Sequence, residues 1–314
     1  MPREMLVGLI RVAVVLACAI AVDPVSAAPR MPDCSLKDGE PHSVVRVLDG
    51  DTLVVDGGGE VRLIGALAPR AWDAAGDGED WPLAATAKAE LERLVLGHSI
   101  ELGFGGRRSD RYGRLLAQVF VRDAAAAGPE DERGTTWVQG AMLERGLARA
   151  YSLEGSASCL AELLARERVA RAAALGVWAE ASYAVRGAAE VEHLLERRGT
   201  FQIVEGRVRA VADVRGTVFV NFGEDTRQDF TIAIRAQTKR QIVAAGIDPQ
   251  LWTGRTVRVR GWIERRGGPL IEIHNAGEVE PVTRDGDAAL PAPQMLAAPE
   301  RRSRARPRPP VDQR

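Results

Sequence analysis

Between residues 44 and 70 the chain reads VVRVLDGDTLVVDGGGEVRLIGALAPR, three short apolar or alternating runs parted by Asp49-Gly50 and by Gly57-Gly58-Gly59. Alternation with period two, bounded by turn residues, predicts strands at 44–48, 52–56 and 60–66 joined as a meander. The turn carries Asp51, the third strand carries Arg62, and the segment ends in Leu67-Ala68-Pro69-Arg70.

The periodicity then changes. Residues 82–96 place Leu83, Ala87, Leu91, Leu94 and Val95 at helical spacing, with Pro82 at the start and Gly97 as the stop. Strands are expected at 99–104 and 115–121, around the basic turn Arg107-Arg108-Ser109-Asp110-Arg111-Tyr112-Gly113-Arg114. Five strands with a helix between the third and fourth give the order of an OB barrel. Helical stretches at 137–145 and 157–175 follow. From residue 201 the same grammar repeats: strands at 201–211, 217–222 and 229–235, a helix at 237–245, then strands at 256–264 and 270–274. The expected fold is mainly β with helices (α+β), a five-stranded OB-type barrel at 42–179 and a second small OB-like barrel at 200–282. Alanine-rich, charged residues 180–199 read as a helical linker.

The ends read differently. Arg3 and Arg11, an apolar run at 12–22 and Val25-Ser26-Ala27 have the layout of a secretory signal ending at residue 27. The run falls short of the roughly 20 residues that a spanning helix needs. The mature chain is therefore expected to be exported, periplasmic or secreted, with no stable membrane insertion; lipoprotein anchoring at Cys18 is the alternative. Cleavage leaves Cys34 and Cys159, and sequence leaves open whether they pair. Residues 283–314, rich in Pro and Arg, should form a disordered basic tail. Lys+Arg 42 against Asp+Glu 43 is close to neutral, so any nucleic-acid contact must come from a local patch.

Asp49-Gly50-Asp51-Thr52, Arg62-Leu63-Ile64-Gly65 and Asp110-Arg111-Tyr112-Gly113-Arg114, in that order, resemble the staphylococcal nuclease (thermonuclease-like, SNase-like) family. The resemblance runs over residues 43–178, including Gly146-Leu147-Ala148 and Gly176-Val177-Trp178. It implies a calcium-dependent hydrolase of DNA or RNA phosphodiesters. Asp51 matches the first calcium-ligating aspartate, and Arg62 and Arg114 match the two phosphate-binding arginines. The family's run Asp-Thr-Pro-Glu, which supplies further calcium ligands and the general base, falls on Leu67-Ala68-Pro69-Arg70, with Pro69 keeping the register.

A positioned base contributes ~10²–10⁴-fold, equivalent to roughly 3–5 kcal/mol of barrier. With Leu67 at the second carboxylate and Arg70 at the base, calcium should bind weakly or not at all, Asp51 being a residual ligand. The expectation is a protein that binds nucleic-acid phosphodiesters, or another anion, through Arg62, Arg70, Arg111 and Arg114, with Asp51 paired to one arginine and hydrolysis weak or lost. The alternative is an active metal-dependent phosphodiesterase whose acidic loop, Asp73, Asp77, Glu79 and Asp80, supplies the missing groups. Of the aromatics Phe219, Phe222, Phe230, Trp252 and Trp262, most are expected in the core rather than stacked on bases.

Overall fold

The computed structural model describes residues 34–70, 82–122, 135–244 and 246–282, with Ser35 and Glu154 excepted. The leader at 1–27, Cys18, the acidic residues Asp73, Asp77, Glu79 and Asp80, and the tail at 283–314 lie outside the described residues.

In chain order the first half contains β1 (Lys37–Asp49), β2 (Thr52–Val55), β3 (Glu60–Leu63), β4 (Ala66–Leu67), α1 (Ala84–Val95), β5 (Ser99–Phe104) and β6 (Leu115–Val121). β7 (Thr136–Trp137), α2 (Val138–Glu144), β8 (Arg149–Ala150) and α3 (Leu160–Ala172) complete it. β1 is long enough to serve two neighbours: Val44 to Asp49 pair with β2, and Lys37 to Ser43 pair with β5. The parallel pairing of β3 with β6 closes five strands into a barrel. Its centre holds Leu53, Val61, Leu63, Ile100 and Val119, covered by Leu91 and Leu94 of α1 and by Met142 and Leu143 of α2.

The third strand stops sooner than its apolar pattern suggests. Gly65, at φ +94°, breaks it into β3 and β4, and a Cβ there would lie 2.3 Å from Leu163 Cδ1 of α3. β4 is thereby free to pair with β8, aligning Leu67 with Arg149. A disulfide joins Cys34 to Cys159, which flanks α3.

The linker is not one helix. Two short 3₁₀ turns, Gly176–Ala179 and Ala181–Tyr183, lead into β9 (Arg186–Gly187) and the six-residue α4 (Val191–Glu196). Tyr183, Ala188 and Leu194 are buried, so the segment is packed along its length.

The second half contains β10 (Phe201–Arg207), β11 (Ala210–Val214), β12 (Thr217–Asn221), β13 (Thr231–Ile234), α5 (Ala236–Ala244), β14 (Thr256–Trp262), β15 (Glu264–Arg266), β16 (Gly268–Ile273) and β17 (Val279–Pro281). The expected closed barrel is not formed. β17-β14-β10-β9 make one sheet and β11-β12-β13-β16-β15 another. Two corners cause the split. The expected strand 201–211 breaks at Val208-Arg209, whose amides bond to Arg255 O and Asn221 O, and the strand 256–264 breaks at Ile263, whose amide bonds to Thr200 O. The two sheets nevertheless share one core of Val204, Val220, Phe230, Ile232, Val259 and Ile271.

Candidate functional site

The tight turn between β1 and β2 holds Asp51 by packing and by hydrogen bonds. Gly50 is required there: a Cβ would come within 2.7 Å of both Ala68 Cβ and Ala87 Cβ, so the turn lies directly on the segment after β4 and on α1. Asp49 Oδ1 accepts the Asp51 amide at 2.8 Å, and Leu63 N–H donates to Asp51 O at 2.8 Å. The Asp51 side chain is completely buried. Thr52 Oγ1 donates to Oδ1 at 3.0 Å, Ala68 N–H donates to Oδ2 at 3.2 Å, and Arg70 Nη2 lies 3.3 Å from Oδ2.

Arg70 therefore turns back onto the Asp51 carboxylate. Arg70 is itself only 8% exposed. Two partly desolvated charges attract strongly when paired and cost several kcal/mol when separated. Asp49 sits beside them, its pKa pushed up to about 6 by burial first and by the charge of Asp51 second, with Arg70 opposing.

Arg62, on β3, donates from Nε to the Tyr151 hydroxyl at 3.3 Å, and its guanidinium lies 5.8 Å from that ring's centre. Burial works against the Arg62 charge, yet the polar contact with Tyr151 and the field of Asp51 and Asp49 hold its pKa above the ordinary value. Burial also raises the pKa of Tyr151, which keeps its hydroxyl protonated.

Arg62 and Arg70 open onto one cleft of about 240 Å³. Arg149 joins them, and Tyr183, Phe201 and Trp262 line the same space. Arg149 Nη1 donates to Phe201 O at 2.9 Å, and its guanidinium stands 4.9 Å from the Tyr183 ring centre. The cleft thus lies on the seam between the barrel and the second pair of sheets. Leu67 is part of that seam: with Ile64, Leu116, Tyr151, Phe201 and Ile203 it forms an apolar cluster drawn from both halves.

A buried ionic contact fixes the same seam. Arg260 of β14 bonds through Nη1 to Glu167 Oε2 of α3 at 2.9 Å and to Ala150 O at 2.9 Å, and through Nη2 to Glu167 Oε1 at 3.0 Å and to Glu280. Arg260 is 1% exposed and Glu167 fully buried.

Arg114 does not join Arg62 and Arg70 among the residues lining the cleft; its guanidinium bonds to Asp110 Oδ2 at 2.7 Å within the basic turn. Arg111 is exposed on that turn, its Nη2 2.7 Å from the Tyr112 hydroxyl. Of the aromatics weighed from sequence, Phe230 and Trp252 are buried, whereas Trp262 is 38% exposed. Sequence reasoning did not find Arg149 or Tyr151. Their only signal was adjacency to Gly146-Leu147-Ala148; their place depends on the pairing of β4 with β8.

Comparison with known families matches residues 60–180 to the family described as Staphylococcal nuclease homologue. Those residues form a nuclease-family domain, and no family match accounts for the second half. Among curated proteins, none matches the chain. The family is typically calcium-dependent, and among the described residues the donor set does not fit that ion. A calcium ion asks for several oxygen ligands, usually more than one carboxylate. Here Asp51 is buried against the Arg70 cation, and Leu67 lies inside an apolar cluster. Among the described residues there is no group of three or more His, Cys, Asp or Glu side chains able to hold a metal.

Proposed function

We propose that this protein binds nucleic-acid phosphodiesters or a related anion at Arg62 and Arg70 and has lost efficient hydrolysis. The carrying observation is the ion pair of Asp51 with Arg70. It places a guanidinium, a phosphate-seeking group, against the carboxylate that the family offers to calcium. Leu67 supports the same reading, because its side chain packs against Phe201 and Ile203 and has no oxygen to offer. Arg107, Arg108 and Arg111 on the exposed turn extend the basic surface along the barrel, where phosphates further down a strand would contact it. The second half, with the strand order of an OB fold but split at two corners, acts as a cover on the old site. Export to an oxidising compartment is part of the proposal, supported by the Cys34–Cys159 disulfide and the leader-like residues 1–27.

The test is single-stranded DNA with the purified protein, with and without calcium. The expected outcome is binding that falls with Arg62→Ala and rising salt, no digestion, and no calcium-dependent thermal shift. Calcium-dependent digestion that Arg62→Ala abolishes would falsify it.

A further inference from the structure

We propose that the seam cleft takes one nucleotide unit, free or at the end of a strand, with its phosphate on Arg62 and Arg70 and its base against Trp262. This rests on the phosphate-binding reading above and adds what the second half contributes to it.

Three features of the cleft carry the inference. The first is charge. The guanidinium-bearing residues Arg62, Arg70 and Arg149 all line the cleft, and no carboxylate is among its lining residues. An anion with a mobile counterion shell gains there from both Coulomb attraction and bidentate geometry.

The second is the indole. Trp262 is the last residue of β14 and lines the cleft while remaining 38% exposed. Two edge-type ring contacts fix it, with Phe201 at 5.0 Å and with Tyr151 at 6.0 Å between centroids. A large aromatic side chain already held in place can stack on a flat ring with little further loss of freedom. The hydroxyl of Tyr151 is engaged by Arg62, so one residue connects the phosphate end of the cleft to the ring end.

The third is size. About 240 Å³ falls just below the roughly 300–1,000 Å³ typical of small-molecule sites. Gly199, Thr200 and Phe201 at the start of the second half also line the cleft. One phosphoryl group with one ring fits this outline. A space of about 240 Å³ leaves no room for a second such unit.

Stacking on an aromatic side chain is worth roughly 5- to 150-fold in affinity per base. The experiment is calorimetric titration of the full protein with a nucleoside 5′-monophosphate, ribose 5-phosphate and inorganic phosphate, with circular single-stranded DNA as a competitor without ends. The monophosphate is expected to bind tighter than ribose 5-phosphate by a factor in that range. Trp262→Ala should erase the difference while leaving ribose 5-phosphate unchanged, Trp262→Phe should keep most of it, and Arg62→Ala should weaken all three. Circular DNA should not displace the monophosphate. Equal affinity for monophosphate and ribose 5-phosphate in the unaltered protein sinks the base contact while leaving phosphate binding intact. Displacement by circular DNA sinks the single-unit limit. Failure of every phosphate compound to bind removes the underlying reading as well. A Trp262→Ala protein that does not fold leaves the comparison in the unaltered and Trp262→Phe proteins to decide.

Discussion

Arg70 Nη2 lies 3.3 Å from Asp51 Oδ2, so a buried carboxylate and a nearly buried guanidinium face each other as an ion pair. Removing one partner of such a buried pair leaves the other charge without compensation. Arg70→Ala is expected to cost about 3–5 kcal/mol in urea unfolding. A loss below about 1 kcal/mol, as for an exposed pair, would show that the contact is not formed in solution. Leu67→Asp should cost more than Leu67→Ala, itself about 2–5 kcal/mol, because it puts an unpaired carboxylate into the apolar seam.

Asp49 supplies a pH dependence. Its pKa is raised from the ordinary 3.8 to about 6, so between those values the folded state holds more protons than the unfolded one. Stability from this group therefore falls as pH rises from about 4 to beyond 6, by roughly 3 kcal/mol for a shift of about two units. Asp49→Asn still offers an oxygen to the Asp51 amide and cannot ionise. It is expected to be more stable than the parent above pH 6, and the gap should close near pH 4. A constant difference across that range would count against the assignment.

The disulfide ties residues 125 apart in sequence. Reduction, or Cys34→Ser with Cys159→Ser, is expected to cost about 2–5 kcal/mol, because closing a loop of this length greatly restricts the unfolded chain. Thermal melts with and without reductant measure it, and an unchanged midpoint would mean that the two thiols are not joined.

Glu167→Gln should be among the most damaging single changes in the chain, at about 3–5 kcal/mol, since it leaves Arg260 buried with less than its full counter-charge. Glu167→Leu with Arg260→Leu should cost less than the sum of the two single changes. An additive double-mutant cycle would show that the two side chains do not interact.

The first barrel was legible because its signals are local. Asp49-Gly50-Asp51-Thr52 and Gly57-Gly58-Gly59 fix turns, and the alternation around Arg62 fixes a strand. The upstream half of β1 was missed, because Lys37 to Ser43 contains Asp38, Gly39 and Pro41 and takes its order from pairing with β5. Closure of the second half was over-read for a related reason. Val208 and Ile263 sit in unbroken apolar patterns, and only their hydrogen bonds to Arg255 and Thr200 mark them as corners. At the site, the pairing of Asp51 with an arginine was readable from the aligned run. The withdrawal of Arg114 to Asp110, and the arrival of Arg149 and Trp262, come from contacts distant in sequence.

Leu67 couples the cleft to the packing of the two halves. A carboxylate placed at this position would have to enter the cluster that joins them, beside Phe201 and Ile203. Such a group could be accommodated only if the two halves parted there. One position thus answers both to the cleft and to the joint on which the rest of the molecule is mounted.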